Sequence, residues 1–145
     1  GIAVSPDGRT LWVADLDGAR VQAFETAALE RGGSVRPLAI VPTGRRPIRV
    51  LVSPDGRSVG TSNFLDGTLT VIDARARAPV RTIKVSGDER AEQVTILLSR
   101  DGKRLYAAET GRNEVAEIEF ATGRVLRRLP AGKQGDGLAL ASTPR

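Results

Sequence analysis

The chain has 145 residues, of which 40% are hydrophobic and 27% charged, and it carries a net charge of +5, the balance of a globular chain and not of a disordered one. It contains no Cys and no His, which removes disulfides, thiolate nucleophiles, cysteine-type zinc sites, the commonest general base and the commonest haem or metal ligand. No apolar run approaches the roughly 18 residues of a membrane-spanning helix, and the basic excess is mostly Arg scattered through turns and outward strand positions, which reads as a solvated surface.

Chain order brings a short apolar run at 2–5 and then Ser5-Pro6-Asp7-Gly8. Pro presets its own backbone angle, Asp bonds nearby amides and Gly accepts positive φ, so this is a turn. A calcium loop would need several more oxygen ligands at short spacing. Further strands are predicted over 10–14, 20–25 and 35–41. The stretch 25–31 has helix-compatible residues, ended by Gly32-Gly33, and can form one short turn.

The pattern then begins again. Ser53-Pro54-Asp55-Gly56 and Ser99-Arg100-Asp101-Gly102 repeat the turn at positions 53 and 99, 48 residues after position 5 and then 46 residues after position 53. Strands are predicted over 49–53, 58–62, 68–73 and 80–85 in the second unit, and over 94–99, 104–108, 114–120 and 124–129 in the third. Gapless alignment matches Leu11-Trp12-Val13-Ala14-Asp15 to Val59-Gly60-Thr61-Ser62-Asn63 and to Leu105-Tyr106-Ala107-Ala108-Glu109. The first strand of each unit is continuously apolar, which predicts cover on both faces and an inner position. The third and fourth strands alternate and belong nearer the rim.

Units of this length with four short strands are close to one propeller blade. The predicted fold is therefore all-β: a partial β-propeller of three four-stranded antiparallel blades at about 1–47, 48–93 and 94–136, plus the first strand of a fourth from 137 to 145. Gly1-Ile2-Ala3-Val4 and Gly137-Leu138-Ala139-Leu140 both read as openings of the same pattern. Three blades cannot close a ring of the usual four to eight, so the expectation is either further blades in a longer chain, which is favoured, or two chains pairing into a six-bladed ring.

The consensus, an apolar strand into Ser-Pro-Asp-Gly, a Leu-Tyr-Val-x-Asn-like strand, a Val-x-Val-Ile-Asp-like strand and a closing Gly-x-x-Pro, resembles the YVTN family of β-propeller repeats across essentially the whole chain. Ser53-Pro54-Asp55-Gly56-Arg57 and Thr70-Val71-Ile72-Asp73 carry the fullest match. The Asn position of that pattern holds Asp15, Asn63 and Glu109, and the Tyr position Trp12, Gly60 and Tyr106. The resemblance alone implies a periplasmic or secreted location.

Blade-to-blade loops should share one face with the loops between second and third strands, gathering Arg45, Arg46, Arg90 and Glu92 with Lys133, Gln134 and Asp136. Asp15, Asn63 and Glu109 join the same face. Loops on a rigid scaffold commonly carry function, which makes this the candidate face for a protein or small ligand. Asp15 and Glu109 are expected to cap their own loops and not to act as a pair, because a whole blade separates them. Gly132-Lys133-Gln134-Gly135-Asp136-Gly137 lacks the spacing of phosphate-binding loops, and five aromatic residues in all leave few stacking platforms for nucleic acid. The reading is a non-catalytic binding module without cofactor or metal. The alternative is part of a redox-linked or lactonase-like propeller enzyme whose catalytic groups lie outside these residues.

Overall fold

The computed structural model describes residues 1–141; the end of the expected fourth-blade strand, 142–145, lies outside the described residues. Among the described residues, twelve strands make up three separate four-stranded sheets. The first contains β1 (Ile2–Val4), β2 (Thr10–Asp15), β3 (Arg20–Glu25) and β4 (Ala39–Pro42). The second contains β5 (Pro47–Val52), β6 (Ser58–Asn63), β7 (Thr68–Asp73) and β8 (Ala78–Lys84). The third contains β9 (Gln93–Leu98), β10 (Arg104–Glu109), β11 (Glu114–Glu119) and β12 (Arg124–Pro130). Each sheet is an antiparallel meander in chain order. The short helical turn expected after β3 forms as the five-residue helix α1 (Thr26–Glu30). The fourth strand of the first sheet starts later than the pattern suggested, at Ala39, with 35–38 irregular.

The recurring tetrapeptide closes the first hairpin of every sheet by the same bonds. Asp7 Oδ1 accepts from Ser5 Oγ at 2.5 Å and from the Arg9 amide at 3.0 Å. Asp55 repeats this with Ser53 and Arg57 at 2.6 and 3.1 Å, and Asp101 with Ser99 and Lys103 at 2.6 and 3.0 Å. The serine hydroxyl bond is the main reason each of these carboxyl groups is held below the ordinary carboxylate value. Gly8, Gly56 and Gly102 sit at φ 72°, 71° and 71°, the left-handed region that glycine enters without a steric penalty.

The sheets lean on one another as blades. Trp12, Val21, Ala23 and Val41 of the first blade bury against Val59 and Ile72 of the second. Leu69, Val71 and Ile83 of the second meet Ile96, Leu105 and Ile118 of the third. Fully burying one such aliphatic side chain contributes about 1.5–3 kcal/mol, and here each blade gains that burial only from its neighbour. The β9 strand packs on both β5 and β6, and β5 on both β1 and β2, which places the first strand of each blade inside as expected. Position 12/60/106 shows how the repeats share volume. Trp12 is 1% exposed, whereas a Cβ on Gly60 would already stand 3.3 Å from Leu51 Cδ1 and 3.8 Å from Ile96 Cδ1.

The two end faces differ from the internal ones. The expected two-sided cover of 2–5 fails: Ile2 is 68% and Val4 51% exposed, and Ile40 on the same blade 55%, because among the described residues no sheet packs on the outer face of the first blade. On the third blade, Leu97, Tyr106, Val115 and Leu129 border a hollow shared with Leu138 and Leu140. Left-handed residues precede the inner strands at Arg46 (φ 57°) and Glu92 (φ 45°), and Gln134 (φ 54°) repeats this before 135–141. That segment is placed as a fourth inner strand would be, and among the described residues it has no strand partner.

Candidate binding face

Inter-blade loops and the loops after the second strands are tied together at one end of the blades. Asp66 accepts from the Arg45 amide and from Arg45 Nε, both at 2.6 Å. Asp88 pairs with Arg112, and a Cβ on Gly111 would be 2.2 Å from the Arg90 carbonyl oxygen, so only glycine allows that approach. Thr110 Oγ1 donates to the Gly135 carbonyl at 2.9 Å, and the Gln134 amide donates to Asn113 Oδ1 at 2.9 Å. The expected loop face exists as a stitched surface. Arg112 is the main cause that holds the Asp88 carboxyl below the usual carboxylate range.

The ten candidate residues fall into three groups. Asp15, Asn63 and Glu109 occupy equivalent ends of β2, β6 and β10 and are consumed by their own blades. Asp15 accepts from Arg20 Nε at 2.7 Å, the Gly18 amide at 3.0 Å and Gln22 Nε2 at 3.3 Å; the Arg20 bond leads the causes that lower its carboxyl pKa. Asn63, fully buried, donates through Nδ2 to Thr68 Oγ1 at 2.9 Å and Thr70 Oγ1 at 3.0 Å. Glu109, also fully buried, accepts from Arg128, whose other guanidinium nitrogen donates to the Val85 carbonyl of the preceding blade at 2.9 Å.

The second group is fixed but solvated. Arg45 is held by Asp66, Arg46 lies with its guanidinium carbon 5.8 Å from the Phe64 ring centroid, and Asp136 accepts from Thr95 Oγ1 at 2.6 Å with Arg49 at 3.6 Å. Asp136 thus links β5 and β9 to the segment 135–141. Arg90, Glu92, Lys133 and Gln134 form the third group, exposed on the loops, where their side chains make no ion pair among the described residues.

Sequence reasoning missed Arg49, Asp66, Asp88, Arg112 and Arg128. Asp66 and Asp88 sit beside Gly67 and Gly87 and look like ordinary turn residues. Arg128 lies in an alternating strand where an outward charge is expected, and nothing in the sequence announces a buried carboxylate 19 residues away. A further feature invisible in the pattern is a cleft of about 410 Å³ between the first and second blades, lined by Pro42, Thr43 and Gly44 on one side and by Asp66, Thr68, Thr70, Pro79 and Thr82 on the other.

No family profile matches the chain, and no curated protein matches it. Solved structures do. Kuenenia stuttgartiensis hydrazine synthase superimposes with a TM-score of 0.79 at 26% identity, over 92% of this chain and 36% of that one. A functionally unknown protein from Desulfotomaculum acetoxidans DSM 771 superimposes with a TM-score of 0.75 at 18% identity, over 91% of this chain and 42% of that one. The chain therefore spans well under half the length of either protein. These likenesses agree with a propeller-like, all-β fold.

Proposed function

We propose that these residues are three consecutive blades of a longer YVTN-like propeller that acts as a non-catalytic scaffold, presenting its inter-blade loops to a protein or small ligand from a periplasmic or secreted location. The observation that carries this reading is the division of labour on the loop face. Asp15, Asp66, Asp88, Asp136 and Glu109, with several of its arginines, are spent on internal bonds, while Arg90, Glu92, Lys133 and Gln134 stand free on loops tied to their neighbours. Rigid loops with uncommitted polar side chains suit recognition. The missing cover on the first blade and the unpaired segment 135–141 support further blades in the same chain, as do the longer proteins that the fold resembles.

An NMR fragment screen of the chain tests the scaffold reading. Shifts should cluster on 44–47, 88–92 and 131–136. Clustering on the opposite turns around Asp7, Asp55 and Asp101 would contradict it.

The likeness to hydrazine synthase favours a second reading, a propeller within a redox-linked enzyme whose catalytic groups lie elsewhere in the chain. A Cys-x-x-Cys-His haem-attachment motif in the flanking sequence would select it, and flanking repeats without such a motif would select the scaffold.

A further inference from the structure

The three blades are built on one template, so the cleft between the first and second can be compared with the same place between the second and third. On the third blade Glu109 pairs with Glu114 and Ala116 with Arg128 across the sheet. The equivalent pairs on the second blade are Asn63 with Thr68 and Thr70 with Thr82. Arg128 fills the later junction, joining Glu109, Glu114 and the Val85 carbonyl. Thr82, short and exposed, stands in its place at the earlier one. That exchange leaves the hydroxyl-lined cleft of about 410 Å³, within the size range of small-molecule sites.

Its chemistry is set by Asn63. Thr70 Oγ1 already accepts from Asn63 Nδ2 at 3.0 Å and from the Gly44 amide at 3.3 Å, and Thr68 Oγ1 accepts from Asn63 at 2.9 Å. Both hydroxyls therefore keep their own protons to donate. Thr82 can donate and accept. Beneath this floor Asn63 Oδ1 and Thr61 Oγ1 are fully buried without a partner, an unusual surplus of hydrogen-bonding capacity. Charge is absent in net terms: the two glutamates of the later junction are replaced by Asn63 and Thr68, its arginine by Thr82, and Asp66 is neutralised by Arg45. Pro42 and Pro79 add ring surfaces that suit C–H groups.

We propose that this cleft binds an uncharged polyhydroxylated small molecule, a polyol or simple sugar, in the space that the next junction fills with Arg128. The inference rests on the reading of the loop end of the blades as a binding face. Titration with myo-inositol and with methyl α-glucoside, followed by NMR, tests it. Saturable shifts are expected at Thr68, Thr70, Thr82 and the Asn63 side-chain amide, with Kd on the order of 1 mM for so small and open a site.

Thr82→Arg, which restores the filling side chain of the third blade, should weaken binding roughly tenfold or more, and Thr82→Gln should do so without adding charge. An unchanged spectrum for the third blade verifies that either variant is folded. Absence of saturable shifts overturns the proposal, as does undiminished binding in a folded filling variant or tighter binding of argininamide than of either polyol in the same cleft. Polyol shifts confined to 88–92 and 131–136 overturn the cleft while leaving the scaffold reading intact.

Discussion

Arg128→Ala gives the sharpest energetic test of how the second and third blades are joined. The substitution removes the guanidinium that neutralises Glu109, a carboxylate with 0% exposure whose Oε1 already lacks a partner, and it cuts the bond to the Val85 carbonyl. Breaking a buried pair by deleting one partner costs about 3–5 kcal/mol, because the surviving charge stays buried and unpaired. Arg128 itself is 32% exposed and water can reach its side of the gap, so the lower end, about 3 kcal/mol, applies. That is a large part of the stability of an ordinary domain, about 5–15 kcal/mol. Urea unfolding at neutral pH should show a midpoint lower by about 1–3 M, given slopes of about 1–3 kcal/mol/M. Adding Glu109→Gln to Arg128→Ala should recover much of the loss, since a neutral amide has no charge to leave stranded. A midpoint change no larger than that of Arg31→Ala, which disrupts an exposed pair 3.7 Å long worth about 0–1 kcal/mol, would refute the reasoning, as would failure of the Gln rescue.

Gly60→Tyr, which copies the third blade into the second, should destabilise by about 1–3 kcal/mol through overpacking against Leu51 and Ile96, read in the same urea assay; an unchanged midpoint would mean the second junction is looser than described. The hairpin carboxylates Asp7, Asp55 and Asp101 have depressed pKa values when folded, so their stabilisation is present above the unfolded value near 3.8 and is lost as pH falls through the folded values. Urea midpoints should hold steady down to about pH 5 and decline on further acidification, with Asp55→Asn flattening part of the decline; a decline already complete above that range would contradict the assignment. Exposed Ile2, Val4 and Ile40 predict concentration-dependent self-association of the chain in sedimentation equilibrium, and Ile2→Lys with Ile40→Lys should suppress it; a dilution-resistant monomer without substitutions would count against an uncovered first blade.

The blades were legible because their signals are local. Pro-Asp-Gly turns, alternating third and fourth strands and a fixed interval all act within one unit, and twelve strands follow within a few residues of the expected bounds. What lay between units was less so. Continuous apolarity in Ile2-Ala3-Val4 reads as two-sided burial whether or not a neighbour exists, and among the described residues no sheet covers the outer side of Ile2. Asp15, Asn63 and Glu109 are legible as one repeating position, and the expected loop-capping role holds for Asp15, which accepts from the Gly18 amide, but not for Glu109, which caps no loop amide and is turned instead to Arg128 on β12. The exchange of Arg128 for Thr82, which opens one junction and fills the other, was not visible, because both residues look like ordinary outward positions on an alternating strand.

Side-chain NOEs in the chain test the arrangement of the blades most directly. The account predicts contacts from the Trp12 indole to Val59 and Ile72, from Leu51 to Ile96, and from the Tyr106 ring to Leu138 or Leu140. Intact pairing within each four-stranded sheet without those contacts between sheets would contradict it.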